Sequence, residues 1–209
     1  MAKNFNFDLN EISKYFGLTY NEDNTHLLQW LNVKYEFDDF EQRITEDLYD
    51  EILDSGEHMN EEELKTQMVS LVFYAANIKV KKKIKVFYER AMTGMVKDVM
   101  MSVICDCLVA TPYINAPDIP YFFLQEFKKS KGEKKDPEAQ MLIAMLIAQA
   151  KNNDGKPIYG GYLIGTGWHF TTLIGNDYCV SRKYEATTKE HLLDIICALK
   201  SLKQLILNR

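Results

Sequence analysis

No run of apolar residues in this chain approaches the roughly 18 that a membrane-spanning helix requires, so no segment reads as a span. The opening MAKNFNFDLNE has no apolar h-region of the kind a secretory signal carries. The chain is therefore expected to be soluble and cytoplasmic, with no membrane partner. Cysteine is scarce, at 4 residues, with no Cys-x-x-Cys pair and no histidine at zinc-ligand spacing, which excludes a disulfide framework and a zinc cluster. Cys105, Cys107 and Cys197 lie in apolar segments and Cys179 in a short strand, where free thiols behave as small hydrophobes. The Gly165-Thr166-Gly167 sequence is too short and wrongly placed for a dinucleotide fingerprint and reads as a turn between strands. There is no internal repeat and no clear linker, the weakest point being the polar stretch Ser55 to Glu61.

What remains is enough for a full core. With 46% hydrophobic and 12% aromatic residues, 209 positions can bury one domain and an appendage. The formal net charge of −5 hides a division: residues 1–67 hold 17 acidic side chains against 5 basic, and the remainder 13 against 20. A basic C-terminal part suits a polyanionic partner, although ordinary surface variation also divides charge.

Helical spacing marks the first sixty residues, with segments at Ile12 to Gly17, Thr25 to Phe37 and Asp39 to Glu57. Residues 1–58 read as an acidic helical N-terminal extension, and 59–209 as the main domain. Asn60 with Glu63 forms a capping-box signature for a helix over Asn60 to Asn77. In IKVKKKIKVFYER the apolar residues alternate with Lys79, Lys81, Lys83 and Lys85, which predicts a strand with one lysine face. An edge strand guarded by lysines explains that face more readily than phosphate contact does. Asp136 and Pro137 open a helix to Lys151 that is apolar nearly all round and so belongs against a sheet. Two strands and a third short one follow, then a last helix for which Thr187 to Glu190 supply a capping box.

Charge inside apolar strands is the informative feature. YFFLQEFKK (Tyr121 to Lys129) carries Glu126 and Lys128 two positions apart and hence on one face. SVICDCLVA (Ser102 to Ala110) carries a single charge, Asp106. A hairpin symmetric about the loop Tyr113 to Ile119 sets Asp106 across from Glu126, with Cβ atoms about 5 Å apart. Facing carboxylates in apolar surroundings repel, so one pKa rises unless a cation intervenes. Lys128 supplies part of that charge. A hard divalent ion, Mg²⁺ or Mn²⁺, suits two carboxylates completed by water and substrate phosphate, and the chemistry such a set supports is phosphodiester hydrolysis. Gln140, near the start of the buried helix, either meets solvent or orients groups at the site. A structural salt bridge is the plain alternative for the whole set.

The order of helix, three antiparallel strands, buried helix and strand, with Asp on the second strand and Glu-x-Lys on the third, resembles the PD-(D/E)XK nuclease superfamily. ICDCLVATP, APDIPYFFLQEFKKSK, AQMLIAMLIAQAKN and IYGGYLIGTGWHFTTL are similar to a group of small bacterial proteins expected to be nucleases. The resemblance covers about Glu61 to Leu207. It implies an α/β (α+β) restriction-endonuclease-like core, a mixed central sheet of order αβββαβ flanked by helices. It further implies that Asp106 and Glu126 bind metal, that Lys128 positions or activates water, and that Gln140 is accessory. Glu62 or Glu63 would supply a further metal contact. Lys129, Lys131 and Lys134 of the loop after the strand are candidate nucleic-acid contacts. The implied partner is nucleic acid, DNA ahead of RNA, and such folds commonly act as homodimers. A nuclease fold without turnover, serving as a binding or scaffold protein, is the alternative. Pro117-Asp118 and Asp98 are decoys, since neither faces Glu126 in this register.

Overall fold

The structure, a computed structural model, describes residues 8–21, 24–128 and 136–209. It is a mixed α+β fold built on an 8-stranded sheet with helices on both faces. The N-terminal part comprises α1 (Leu9–Phe16), β1 (Thr19–Asn21), α2 (Thr25–Leu31) and α3 (Asp39–Ser55). One helical run over 61–75 follows, made of α4 (Glu61–Glu63), a π-helical turn (Leu64–Val69) and α5 (Ser70–Ala75). Then come β2 (Lys85–Val96), β3 (Val99–Tyr113), β4 (Ala116–Lys128), α6 (Pro137–Asn152), β5 (Ile158–Ile164), β6 (Gly167–Ile174), β7 (Asp177–Val180), β8 (Tyr184–Glu185) and α7 (Lys189–Leu207). The sheet order is β1-β7-β6-β5-β4-β3-β2, with β8 also on β6. Among the described residues, only the neighbouring pairs β4 with β5 and β1 with β7 run parallel.

Two apolar layers hold the sheet. On one face α6 is buried along nearly its whole length, as its near-continuous apolar sequence requires, and α1 joins it through Ile12 and Phe16. On the other face Leu27, Trp30, Leu48 and Ile52 of the acidic segment merge with Met68, Phe73 and the α7 stripe. Trp30 is fully buried among Phe123, Tyr159 and Phe170, and its Nε1–H donates to the Ala198 carbonyl at 2.7 Å. The described residues up to 58 therefore pack into the same two layers as the rest. Among the described residues no helix is long and apolar enough to cross a membrane.

Three local expectations are corrected. The lysine-rich stretch is not a strand before Lys85: Val80 and Ile84 bridge each other around a tight turn at Lys81 to Lys83, with Lys82 at φ 65°. A turn places Val80 and Ile84 on one side just as a strand would, so the alternation could not separate the two. The hairpin loop is shorter than expected, turning at Ile114 and Asn115. The last helix starts at Lys189 with Thr188 as N-cap and no side-chain capping bond, because the chain before it is held as β8.

Candidate active site

The site begins with an irregularity shared by two strands. Across β2 and β3 the register runs unbroken from Lys85↔Ala110 to Val96↔Val99, except that Glu89 and Asp106 drop out of the ladder. On β3, Val103 and Cys105 pack toward α6, whereas Cys107 and Val109 pack toward the opposite layer. On β2, Phe87 faces α6, and so do Met92 and Val96, residues of opposite parity. The pleat thus reverses in both strands at one register position, where Glu89 takes φ 52°. A left-handed residue turns the alternation over, and the partner strand follows, so register survives. Beyond this point Met100, Ser102 and Ile104 are exposed while their neighbours stay buried, so Asp106 stands where sheet covered on two faces gives way to sheet covered on one.

On its other side β3 pairs with β4, with Cys107↔Gln125, Leu108↔Leu124 and Val109↔Phe123. The next step in that register is Asp106 with Glu126. There the backbone ladder ends, and the Phe127 N–H donates to Asp106 Oδ2 at 3.0 Å. Nearer the turn the register changes, reaching Thr111↔Asp118 through irregularities on either side of Ala110. Three additional residues on β4 offset the tighter turn, and the register at the site comes out as the wider loop would have set it.

Glu126 is completely buried and Asp106 is 8% exposed. Glu126 faces α6, whose Gln140 donates from Nε2 to Glu126 Oε2 at 2.9 Å. Burial first, then the charge of Asp106 and a hydrogen bond with it, hold the Glu126 carboxyl well above the usual range. Asp106 is also raised by burial, against the opposing pull of the Phe127 N–H, Glu126 and Lys128. With both carboxyls ionised neither has a hydrogen to offer, and Glu126 Oε1 has no partner; one proton held between the two satisfies it. Among the described residues three buried side-chain polar atoms lack partners, and two of them, Glu126 Oε1 and Gln140 Oε1, lie on this one contact. Carboxylate and amide oxygens are hard donors of the kind a small divalent cation prefers, and such an ion would take the place of that proton.

Lys128, at the end of β4, is half-buried and donates to Glu61 Oε1 on α4 at 3.1 Å. Burial lowers its pKa, but Glu61 and then the two site carboxylates outweigh that, leaving a net rise. Lys128 is therefore an ammonium that donates hydrogen bonds. Lys65 in the π-helical turn reaches Glu89 at 2.7 Å and Glu62 at 2.8 Å. π turns recur at functional positions, and this one brings a cation beside the pleat reversal.

Asp106, Glu126, Lys128 and Gln140 are thus brought together. Glu63 is not among them: its carboxylate accepts from the Asn60 N–H at 2.7 Å within the capping box. Glu62 pairs with Lys65. Lys129, Lys131 and Lys134 lie outside the described residues. Sequence reasoning missed Glu61, Glu89 and Lys65. The signal for Glu61 was present, since a capping box commits the third glutamate of Glu61 to Glu63 and leaves the first to reach outward. Of the decoys, Asp98 accepts from the Tyr15 hydroxyl, and Asp118 accepts from the Ile119 N–H on the surface. Gly160 and Gly161 are required by packing: a Cβ on Gly160 would meet Met141 Sδ at 2.8 Å, and one on Gly161 the His169 carbonyl at 2.9 Å. No model of a known protein family and no curated protein matches the chain.

Proposed function

We propose that the protein is a metal-dependent nuclease with a restriction-endonuclease-like core of the PD-(D/E)XK superfamily, hydrolysing phosphodiester bonds of nucleic acid. The reading rests on one observation: two carboxyls set opposite each other by the β3–β4 register, Asp106 and Glu126, are both buried, and two unpartnered oxygens, Glu126 Oε1 and Gln140 Oε1, belong to the Glu126–Gln140 pair. Topology supports it. The helical run 61–75, the antiparallel meander β2-β3-β4, the crossover helix α6 and the parallel strand β5 follow the order αβββαβ.

Among the described residues no group of three or more histidine, cysteine or acidic side chains could hold a metal ion. Asp106 and Glu126 would hold Mg²⁺ or Mn²⁺ with Gln140 Oε1 beside them, leaving the remaining positions to water and substrate phosphate. Such an ion supplies Lewis acidity and a more acidic water. The chain's residues do the rest. Gln140 fixes Glu126 through its Nε2–H, and the Phe127 N–H fixes Asp106. Lys128, kept protonated by Glu61, donates to the attacking water or to the phosphoryl oxygens as negative charge grows on them. The α6 N-terminus lies at the same end of the sheet, closed by Asp136, whose side chain accepts from the Glu138 N–H and whose carbonyl accepts from the Gln140 N–H, so the positive end of its dipole faces the site.

One observation favours a nuclease fold that binds without turnover: Glu126 is fully buried and Lys128 is engaged by Glu61. A single experiment separates the two readings. Single- and double-stranded DNA and RNA are incubated with the protein and Mg²⁺ or Mn²⁺, beside Asp106→Ala and Lys128→Ala. Cleavage lost in both variants is the expected result; cleavage unchanged in both sinks the assignment, and no cleavage of any substrate leaves the binding-only fold.

A further inference from the structure

The carboxyl ends of the parallel strands β4, β5, β7 and β1 all point to one end of the sheet, the end at which open α/β sheets place ligands. At that end register runs sideways from the candidate site: Glu126 pairs with Tyr162, and Tyr162 with His169. Just past the end of β7 the Ser181 N–H donates to the Phe170 carbonyl at 2.8 Å, which carries the register on and sets Arg182 beside His169. With strands about 4.8 Å apart, Arg182 lies about 14 Å from Glu126.

A cleft of about 500 Å³ opens there, between α2 and the ends of β1 and β7. Its walls combine an aromatic and apolar surface (Tyr20, Leu28, Leu31, Tyr184) with Ser181 and Arg182. Tyr20 and Leu28 are 55% and 43% exposed, large apolar side chains at the cleft mouth. Arg182 is exposed with its guanidinium 5.2 Å from the centre of the Tyr184 ring, and among the described residues no carboxylate pairs with it. An exposed tyrosine ring at the mouth, Tyr20, with a guanidinium that no carboxylate among the described residues neutralises, matches the two parts of a nucleotide: a base to stack and a phosphate to neutralise.

We infer that this cleft binds an unpaired nucleotide of the strand whose phosphodiester lies at Asp106 and Glu126. This rests on the nuclease reading and gives it a substrate class, nucleic acid with a single-stranded segment beside the cut. A base can enter the cleft only when it is out of the duplex stack, so a fully paired blunt duplex presents none.

The test measures binding without catalysis. Fluorescence anisotropy follows the full chain titrated into a labelled single-stranded DNA 12-mer and into the corresponding blunt duplex, both in EDTA. Tyr20→Ala and Arg182→Gln are run in parallel, with thermal melting as a check on fold. The single strand is expected to bind more tightly than the duplex. Tyr20→Ala should weaken that binding about 5- to 100-fold through the lost stacking, and Arg182→Gln should reduce the slope of log K against log salt by about 0.7. Equal binding of strand and duplex, no binding of the strand, or folded variants that bind like the parent would each overturn the inference. The two readings fail separately: binding of this kind without cleavage in Mg²⁺ sinks the nuclease and leaves the cleft, whereas cleavage with strand binding indifferent to both variants sinks the cleft alone.

Discussion

Replacing Glu126 with glutamine should make the protein more stable above neutral pH, although it removes a fully buried residue. Below the ordinary glutamate value of 4.5, the carboxyl carries its proton in both the folded and the unfolded chain. Above it the unfolded chain releases the proton, while burial and the neighbouring Asp106 make the folded protein keep it. Stability is then lost as pH rises toward the folded pKa, at up to about 1.4 kcal/mol per pH unit for one proton. For a chain of this size that is about 3 to 6 °C in Tm per unit. Glutamine reproduces the protonated form, since its carbonyl accepts from Gln140 and its amide donates toward Asp106, and it does not titrate. The difference in Tm between Glu126→Gln and the parent should therefore grow steadily from pH 5 upward in EDTA. Titrating groups away from the site, including the buried Glu138, cancel in that difference, and Asp106, which Glu126 itself perturbs, is the one neighbour that adds to it. Mg²⁺ should close it by stabilising the parent alone, by about 2.7 kcal/mol at 100-fold over its Kd. Scanning calorimetry at four pH values with and without Mg²⁺ checks both effects. A difference flat between pH 5 and 8 would refute the shared proton, and equal Mg²⁺ stabilisation of both proteins would refute the metal site.

Glu61→Gln removes the main opposition to burial at Lys128, so the lysine pKa should fall; if catalysis requires the ammonium, the alkaline limb of the pH-rate profile moves to lower pH, and NMR of labelled lysine reads the shift without turnover. Trp30→Ala should cost about 3–5 kcal/mol in urea denaturation, because its ring fills a pocket shared by α2, the sheet and α7; a chain lacking residues 1–58 should not fold cooperatively, and a truncated form that melts like the parent would show the acidic segment to be separable. Gly161→Ala should cost about 1–3 kcal/mol, since its Cβ would meet the backbone carbonyl of His169, which cannot move aside as a methionine can.

The pairing of Asp106 with Glu126 was legible because strand alternation and hairpin symmetry are local rules, and both side chains lie within twenty residues of one turn. The same reasoning placed the turn wrongly. A loop centred on residue 116 and a tighter turn between Ile114 and Asn115 give the same register at the site only because β4 takes up three additional residues between Asp118 and Phe123. The role of Gln140 was half legible: apolar neighbours marked α6 as buried, but nothing local showed that its amide would meet Glu126 rather than solvent. Glu89 and Lys65 left no trace, because their importance comes from a pleat reversal that strands β2 and β3 make together.

By itself the sequence determined which segments must be buried, and that two acids and a lysine had been committed to apolar strands. Side-chain alternation and the cost of burying charge are properties of the chain at short range, so no other part of the molecule had to be known. Tertiary structure decided what those charges do. Complete burial of Glu126 needs α6 laid across it, the raised pKa of Lys128 needs Glu61 carried in by a helix more than sixty residues away, and the cleft at Arg182 needs β1 and β7 brought side by side from opposite ends of the chain. Each depends on distances between groups remote in sequence, and local propensity holds no information about those.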